Sequence, residues 1–167
     1  MIQVYTGNGK GKTTAALGLT LRAAGAGKKV YICQFLKGKY YGELRSLKKF
    51  KDIKVEQFGA KCFIRRLPRQ EDIKLAQSGL RAAKKAILEK KYSLVVLDEI
   101  NVALKLKLIG LKDVLGLIKC LPKKKELILT GRSAHPKIIK AADLVSEIKE
   151  IKHYFKNGIY ARRGIEF

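Results

Sequence analysis

Gly7-Asn-Gly-Lys-Gly-Lys-Thr-Thr14 follows directly on the apolar pentapeptide Ile2-Gln-Val-Tyr-Thr6, and this junction carries the residues best suited to chemistry. Gly7, Gly9 and Gly11 let the backbone turn tightly and bring several N–H groups onto one anion. Lys12 supplies a point charge for phosphate oxygens, and the Thr13 hydroxyl can reach Mg²⁺. Helix formers continue from Ala15 to Ala24, so the positive end of a helix dipole faces the same anion. The spacing departs from Gly-x4-Gly-Lys-Ser/Thr, because Thr6 stands at the first glycine position and glycine comes one residue later. An ordinary strand-to-helix turn is the bland alternative. Strand, loop, Lys-Thr and helix agree on a phosphate loop for a nucleoside triphosphate.

A second constellation is Leu94-Val-Val-Leu-Asp98-Glu99, an apolar strand ending in two carboxylates. Alone it is weak, since acidic residues often cap a following helix. Beside a phosphate loop, Asp98 or Glu99 can bind Mg²⁺ directly or through water while Thr13 holds another face of the ion. Read on chemistry alone, the pair allows a RecA-like ATPase stimulated by nucleic acid, with Glu99 activating water. The chain has no recognisable nucleic-acid module or aromatic stacking platform to support that.

The elements that position these groups alternate. Strand-like segments are expected at Ile2–Thr6, Lys29–Phe35, Ile53–Phe58, Ser93–Asp98, Glu126–Thr130 and Leu144–Ile151, with helices at Thr13–Ala26, Gln70–Lys90, Leu111–Leu121 and Pro136–Ala141. Continuous β-branched and leucine runs suit parallel strands buried on both faces, and alternation of this kind predicts right-handed βαβ units in a doubly wound sheet. Residues 37–69 read as an irregular, basic stretch. Ligands of such sheets sit beyond the carboxyl ends of the strands. That rim takes in the phosphate loop, the segment after Phe35, Asp98–Asn101 and Thr130–Arg132.

At 167 residues the chain is expected to be one domain, 1–167, and 47% hydrophobic residues exclude disorder. No run approaches the ~20 apolar residues of a membrane span. The first strand begins at once, so no signal peptide is expected, and the cysteine usage leads us to expect a cytoplasmic location. Cys33, Cys62 and Cys120 are widely spaced without any Cys-x-x-Cys, which fits reduced thiols rather than zinc. Lysine and arginine number 37 against 14 acidic residues, a formal +23. The basic residues are scattered on what read as solvated helix faces, so the charge does not by itself make nucleic acid a partner.

Further motifs follow in order: Val96-Leu-Asp-Glu-Ile-Asn-Val-Ala-Leu104, Leu129-Thr-Gly-Arg132, Ala142-Asp-Leu-Val-Ser-Glu-Ile148, Lys152-His153 and Gly164-Ile-Glu-Phe167. With the Gly7–Thr14 loop, whose displaced glycine is itself characteristic, they resemble the phosphate-loop type of ATP:corrinoid adenosyltransferase over essentially the whole chain. The resemblance implies a RecA-like α/β fold, commonly homodimeric, and transfer of the 5′-deoxyadenosyl group of ATP to a Co(I) corrinoid with release of triphosphate. It assigns Gly7, Asn8, Gly9, Lys10, Gly11, Lys12, Thr13 and Thr14 to the triphosphate, Thr13 and Glu99 to the metal, and Arg22 and Arg132 to ATP. Lys12 and Glu99 become the catalytic pair. The need for Co(I) implies a low-potential flavoprotein or ferredoxin as reductant, and with no apolar span in the sequence no membrane partner is expected.

One departure concerns the corrinoid. Better-known members carry a Phe and a Trp in a glycine-containing loop after the third strand, thought to displace the corrinoid's lower ligand. This chain has no tryptophan, and its matching stretch is Phe58-Gly-Ala-Lys-Cys-Phe63-Ile64, which leaves Phe63 as the corrinoid-facing aromatic. The N-terminal extension that some members fold over the corrinoid is also not expected here.

Overall fold

A computed structural model describes residues 1–60 and 67–167. Strands β1 (Ile2–Thr6), β2 (Val30–Phe35), β3 (Ile53–Phe58), β4 (Leu94–Asp98), β5 (Glu126–Thr130) and β6 (Leu144–Glu147) form a single sheet. Its order is β3-β2-β4-β5-β1-β6, and every ladder is parallel. Helices α1 (Lys12–Gly25), α2 (Gly42–Leu47), α3 (Gln70–Leu88), α4 (Ile100–Lys105), α5 (Leu111–Lys119) and α6 (Pro136–Ala141) connect them, and a 3₁₀ turn follows at Tyr154–Asn157.

The alternation of strand side chains divides the core into two layers. Val30, Ile32, Leu94, Val96 and Ile128 pack with Ala16 of α1 and Leu47 of α2. Tyr31, Cys33, Phe35, Val95, Leu97, Leu127 and Leu129 face the other way, against Ala76 and Ala83 of α3, Val114 and Leu117 of α5 and Ile138 of α6. Covered on both faces, every residue of β2 and β4 is buried. Each fully buried Val, Leu or Ile is worth about 1.5–3 kcal/mol over exposure, which is why these strands carry no polar alternation until their carboxyl ends.

The expected strands and long helices are present, with ends shifted by at most two residues except at β6. That strand stops at Glu147 because its partner β1 ends at Thr6, where the chain turns into the phosphate loop. Ile148 then serves the loop instead. Its N–H donates to the Thr6 carbonyl at 2.9 Å, and its own carbonyl accepts from Gly9 N–H at 2.7 Å. Two short helices were not expected. In α2, part of the stretch read as irregular, Leu44 and Leu47 are three apart and both buried, a single-turn signal too short to stand out. In α4, Ile100 and Ala103 play the same part behind Glu99. No helix among the described residues is long and apolar enough to cross a membrane. Phe63 lies outside the described residues.

Candidate active site

The phosphate loop is shaped by close backbone approach. Gly7 has φ +95°, and a Cβ there would overlap the Ile148 carbonyl; one on Gly9 would lie 2.6 Å from the Lys149 carbonyl. The loop is thereby seated on the segment that leaves β6. Gly11, at φ 115°, is the N-cap of α1, and no side chain caps that end. Its uncapped first-turn N–H groups are of the kind that suits an anion. Lys12, 6% exposed, donates from Nζ to the Gly9 carbonyl at 2.6 Å. Burial lowers its pKa, Arg132 pushes the same way, and Glu99 opposes them.

Asp98 is the hub. Gln34 on β2 stands in register with Asp98 on β4 and with Gln57 on β3, so these side chains share one row near the carboxyl rim. Asp98 Oδ1 accepts from the Thr13 hydroxyl at 2.8 Å and from the Thr130 hydroxyl at 2.7 Å. Asp98 Oδ2 accepts from Gln34 Nε2 at 3.2 Å and lies 2.9 Å from Lys37 Nζ. Gln57 Nε2 completes the row, donating to Gln34 Oε1 at 3.0 Å and to the Lys39 carbonyl at 3.1 Å. Four donors on two oxygens leave Asp98 fully engaged. Thr13 gives its proton to Asp98, and its oxygen lone pairs are left for another ligand.

Glu99 takes up a left-handed backbone, φ 62°, immediately after the strand, and its N–H donates to the Thr130 hydroxyl at 3.0 Å. Burial raises its pKa, with Asp98 adding to the effect and Lys37, Lys12 and Arg132 opposing it. The Lys37 ammonium is half-buried, which disfavours its charge, but Asp98, Glu43 and Glu99 outweigh this and hold its pKa above the ordinary lysine value. Gly131, at φ +124°, leaves only 3.2–3.3 Å between a would-be Cβ and Asn101 or Glu99, so glycine lets the β5 loop close on both. Asn101 Nδ2 points at the Gly131 carbonyl from 3.5 Å, and its Oδ1 has no partner among the described residues.

A cavity of about 900 Å³ gathers Gly9–Thr14, Glu99 and Arg132 on its rim. Leu36, Lys37 and Tyr41–Glu43 add a wall from the β2–α2 connection, and Gly164–Phe167 add another from the end of the chain. Gly7 and Asn8 belong to the loop but do not line the cavity. Asp98 stands behind Thr13. Arg22 is exposed in the last turn of α1, ten residues and ~15 Å of helix from Lys12, and does not line the cavity.

Sequence reading placed Thr130 on the rim and quoted Gly164–Phe167 as a motif without giving either a role, and it passed over Gln34 and Lys37. A lone amide in the apolar run Val-Tyr-Ile-Cys-Gln-Phe was a usable signal. Lys37, one lysine in a basic stretch, had none.

No group of three or more His, Cys, Asp or Glu among the described residues forms a metal cluster. The oxygen donors of Thr13 and Glu99 fit Mg²⁺, which keeps several waters and is held by one or two protein oxygens plus substrate phosphates. The all-parallel sheet, the loop between β1 and α1, and an acidic pair on β4 with β5 inserted between them define a RecA-like phosphate-loop protein. Consistent with this class, the fold resembles a KaiC-like protein from Pyrococcus horikoshii, with a TM-score of 0.59 at 20% identity over 89% of this chain and 71% of that one. The chain belongs to the family described as ATP:corrinoid adenosyltransferase BtuR/CobO/CobP, whose sequence profile matches residues 1–167. It is 38% identical to a corrinoid adenosyltransferase of Pseudomonas aeruginosa, over 100% of this chain and 83% of that protein. It is 34% identical to a corrinoid adenosyltransferase of Escherichia coli K12, over 100% and 85% respectively.

Proposed function

We propose that this chain transfers the 5′-deoxyadenosyl group of ATP to the Co(I) centre of a corrinoid, releasing triphosphate, with the Gly7–Thr14 loop as the cradle of the departing anion. The observation that carries this reading is the convergence of Lys12, Thr13, Glu99 and Arg132 on one cavity in a chain of this family. Cobalt attacks C5′ with its lone pair as the C5′–O5′ pair leaves on the triphosphate. This nucleophile has no proton to surrender, so the reaction needs no general base. It needs in-line placement at roughly 3–3.5 Å and stabilisation of the charge growing on O5′. Lys12, the first-turn amides of α1 and Arg132 meet the second need. Burial lowers the pKa of Lys12, and a triphosphate beside it would act against this and favour the ammonium.

Thr13 and Glu99 would hold Mg²⁺, which when bound supplies further neutralisation of the triphosphate. Asp98 acts one step back. By accepting the Thr13 hydroxyl hydrogen bond it aims the threonine lone pairs outward, and Lys37, Gln34 and Thr130 keep it in place. The reading extends to a homodimer and to a low-potential flavoprotein or ferredoxin that supplies Co(I).

The competing role of Glu99 is that of a base for water attack. Glu99→Gln separates the two. Adenosyl transfer should fall by about 10²-fold, the scale of one lost electrostatic contact, with partial recovery in excess Mg²⁺. ATP held tightly and unhydrolysed, with no recovery in Mg²⁺, would favour a hydrolytic ATPase instead.

A further inference from the structure

Lys10 stands in the phosphate loop, yet its ammonium turns to the end of the chain. Nζ donates to Glu166 Oε1 at 2.6 Å, to the Tyr154 hydroxyl at 2.7 Å and to the Ile165 carbonyl at 3.3 Å. Glu166 gathers more donors. The Tyr154 hydroxyl bonds to Oε1, the Arg162 N–H donates to Oε2 at 2.6 Å, and Arg162 Nη2 lies 3.5 Å from Oε1. The Arg162 guanidinium also sits over the Tyr154 ring, 4.8 Å from its centroid. These bonds, that of Lys10 first, hold the Glu166 carboxyl far below the usual carboxylate range.

The cluster sets the course of the segment after β6. A turn closed by Gly164 N–H on the Phe167 carbonyl, at 2.7 Å, carries Gly164–Phe167 along the cavity wall. At its far end the Phe167 carbonyl lies beside Gly42 of α2, 3.9 Å from where a Cβ would stand. The segment therefore bridges the cavity, tied at one side to the phosphate loop and resting at the other on α2. Ile165 and Phe167 present apolar surface there, although both are more than 40% exposed overall.

We infer that Lys10 is a positioning residue, a latch that holds residues 153–167 across the cavity so that this segment excludes water from the reacting centre. The inference rests on the adenosyl-transfer reading, because a Co(I) nucleophile is lost to protonation and oxidation wherever water and solutes reach it. Lys10 is then no ligand of the triphosphate, and that task falls to Lys12 and the loop amides. Lys10 and Glu166 are near the surface, so the latch loosens as salt rises.

Lys10→Met, Glu166→Gln and the double variant test this with Mg-ATP and cobalamin reduced beforehand to Co(I) by titanium(III) citrate. Either substitution opens the same latch. Adenosylcobalamin formed per Co(I) consumed should drop about threefold in each single variant, the scale of an exposed ion-pair cluster, and no further in the double. Mg-ATP affinity by calorimetry should match wild type. Trypsin should cut after Arg162 or Arg163 faster in all three, at an unchanged unfolding temperature. Weakened Mg-ATP binding in Lys10→Met alone would make Lys10 a phosphate ligand and overturn the inference, as would wild-type yields and cleavage rates throughout. Failure of the wild type to form adenosylcobalamin would strike the underlying reading instead; the Mg-ATP and trypsin arms still decide the latch.

Discussion

Asp98 and Glu99 are adjacent carboxylates with opposite circumstances. Four donors surround Asp98, whereas the Glu99 carboxyl is half-buried near a like charge and has its pKa raised. A raised pKa means the folded chain binds that proton more tightly than the unfolded chain. Its stabilising contribution is present below about pH 4 and is lost as pH rises through the folded value. At neutral pH the ionised group therefore weighs against folding. Glu99→Gln should unfold at a higher temperature than wild type at pH 7, with the difference vanishing near pH 4. A variant less stable at pH 7 would mean that Glu99 is held as a charge by Lys37, Lys12 and Arg132. Lys37→Met should do the reverse. Removing the cation from a buried pair costs about 3 kcal/mol, or about 6–12 °C of melting temperature at this chain length. An unchanged melting temperature would show that the hydroxyls and Gln34 suffice for Asp98. The acidic pair was legible in sequence because it ended an apolar run. Lys37 was not, because only the register of β2 against β4 brings it to Asp98.

At the scale of elements, the phosphate loop depends on a strand that contributes nothing to the cavity. β6 is exposed along its length, yet its exit segment receives Gly7 and Gly9. Gly7→Ala should therefore both strain and unseat the loop. Placing an L-residue at positive φ costs about 1–2 kcal/mol before the clash with Ile148 is counted. A fall of at least about 2–8 °C in melting temperature should accompany weaker Mg-ATP binding. Wild-type affinity would show that the loop holds its shape without β6. The alternation of strands and long helices could be read from apolar runs and a shift in period, and both core layers follow from it. What escaped was short: α2 and α4 bury two or three residues in a turn and a half, less than periodicity can register. The end of β6 escaped for another reason, since the length of its partner and not its own sequence set it.

For the whole molecule, the formal charge of +23 says less than one cavity does. Lys12, Lys37 and Arg132 line that cavity with Glu99, whereas most lysines lie outside it. The family was legible because its motifs fall at the ends of β1, β4 and β5 and at the end of the chain, the places the fold brings to one rim. The roof contributed by Gly164–Phe167 was noted as a motif, but its position across the cavity depends on tertiary contacts with Lys10 and Gly42. The central claim is that the broken bond of ATP is C5′–O5′. The direct measurement incubates the chain anaerobically with Mg-ATP and a chemically reduced corrinoid, and reads both the corrinoid spectrum and the phosphate product, with and without added DNA or RNA. Adenosylcorrinoid and triphosphate in equal amounts, indifferent to nucleic acid, are the predicted result; ADP and inorganic phosphate, formed faster when nucleic acid is present, would contradict it.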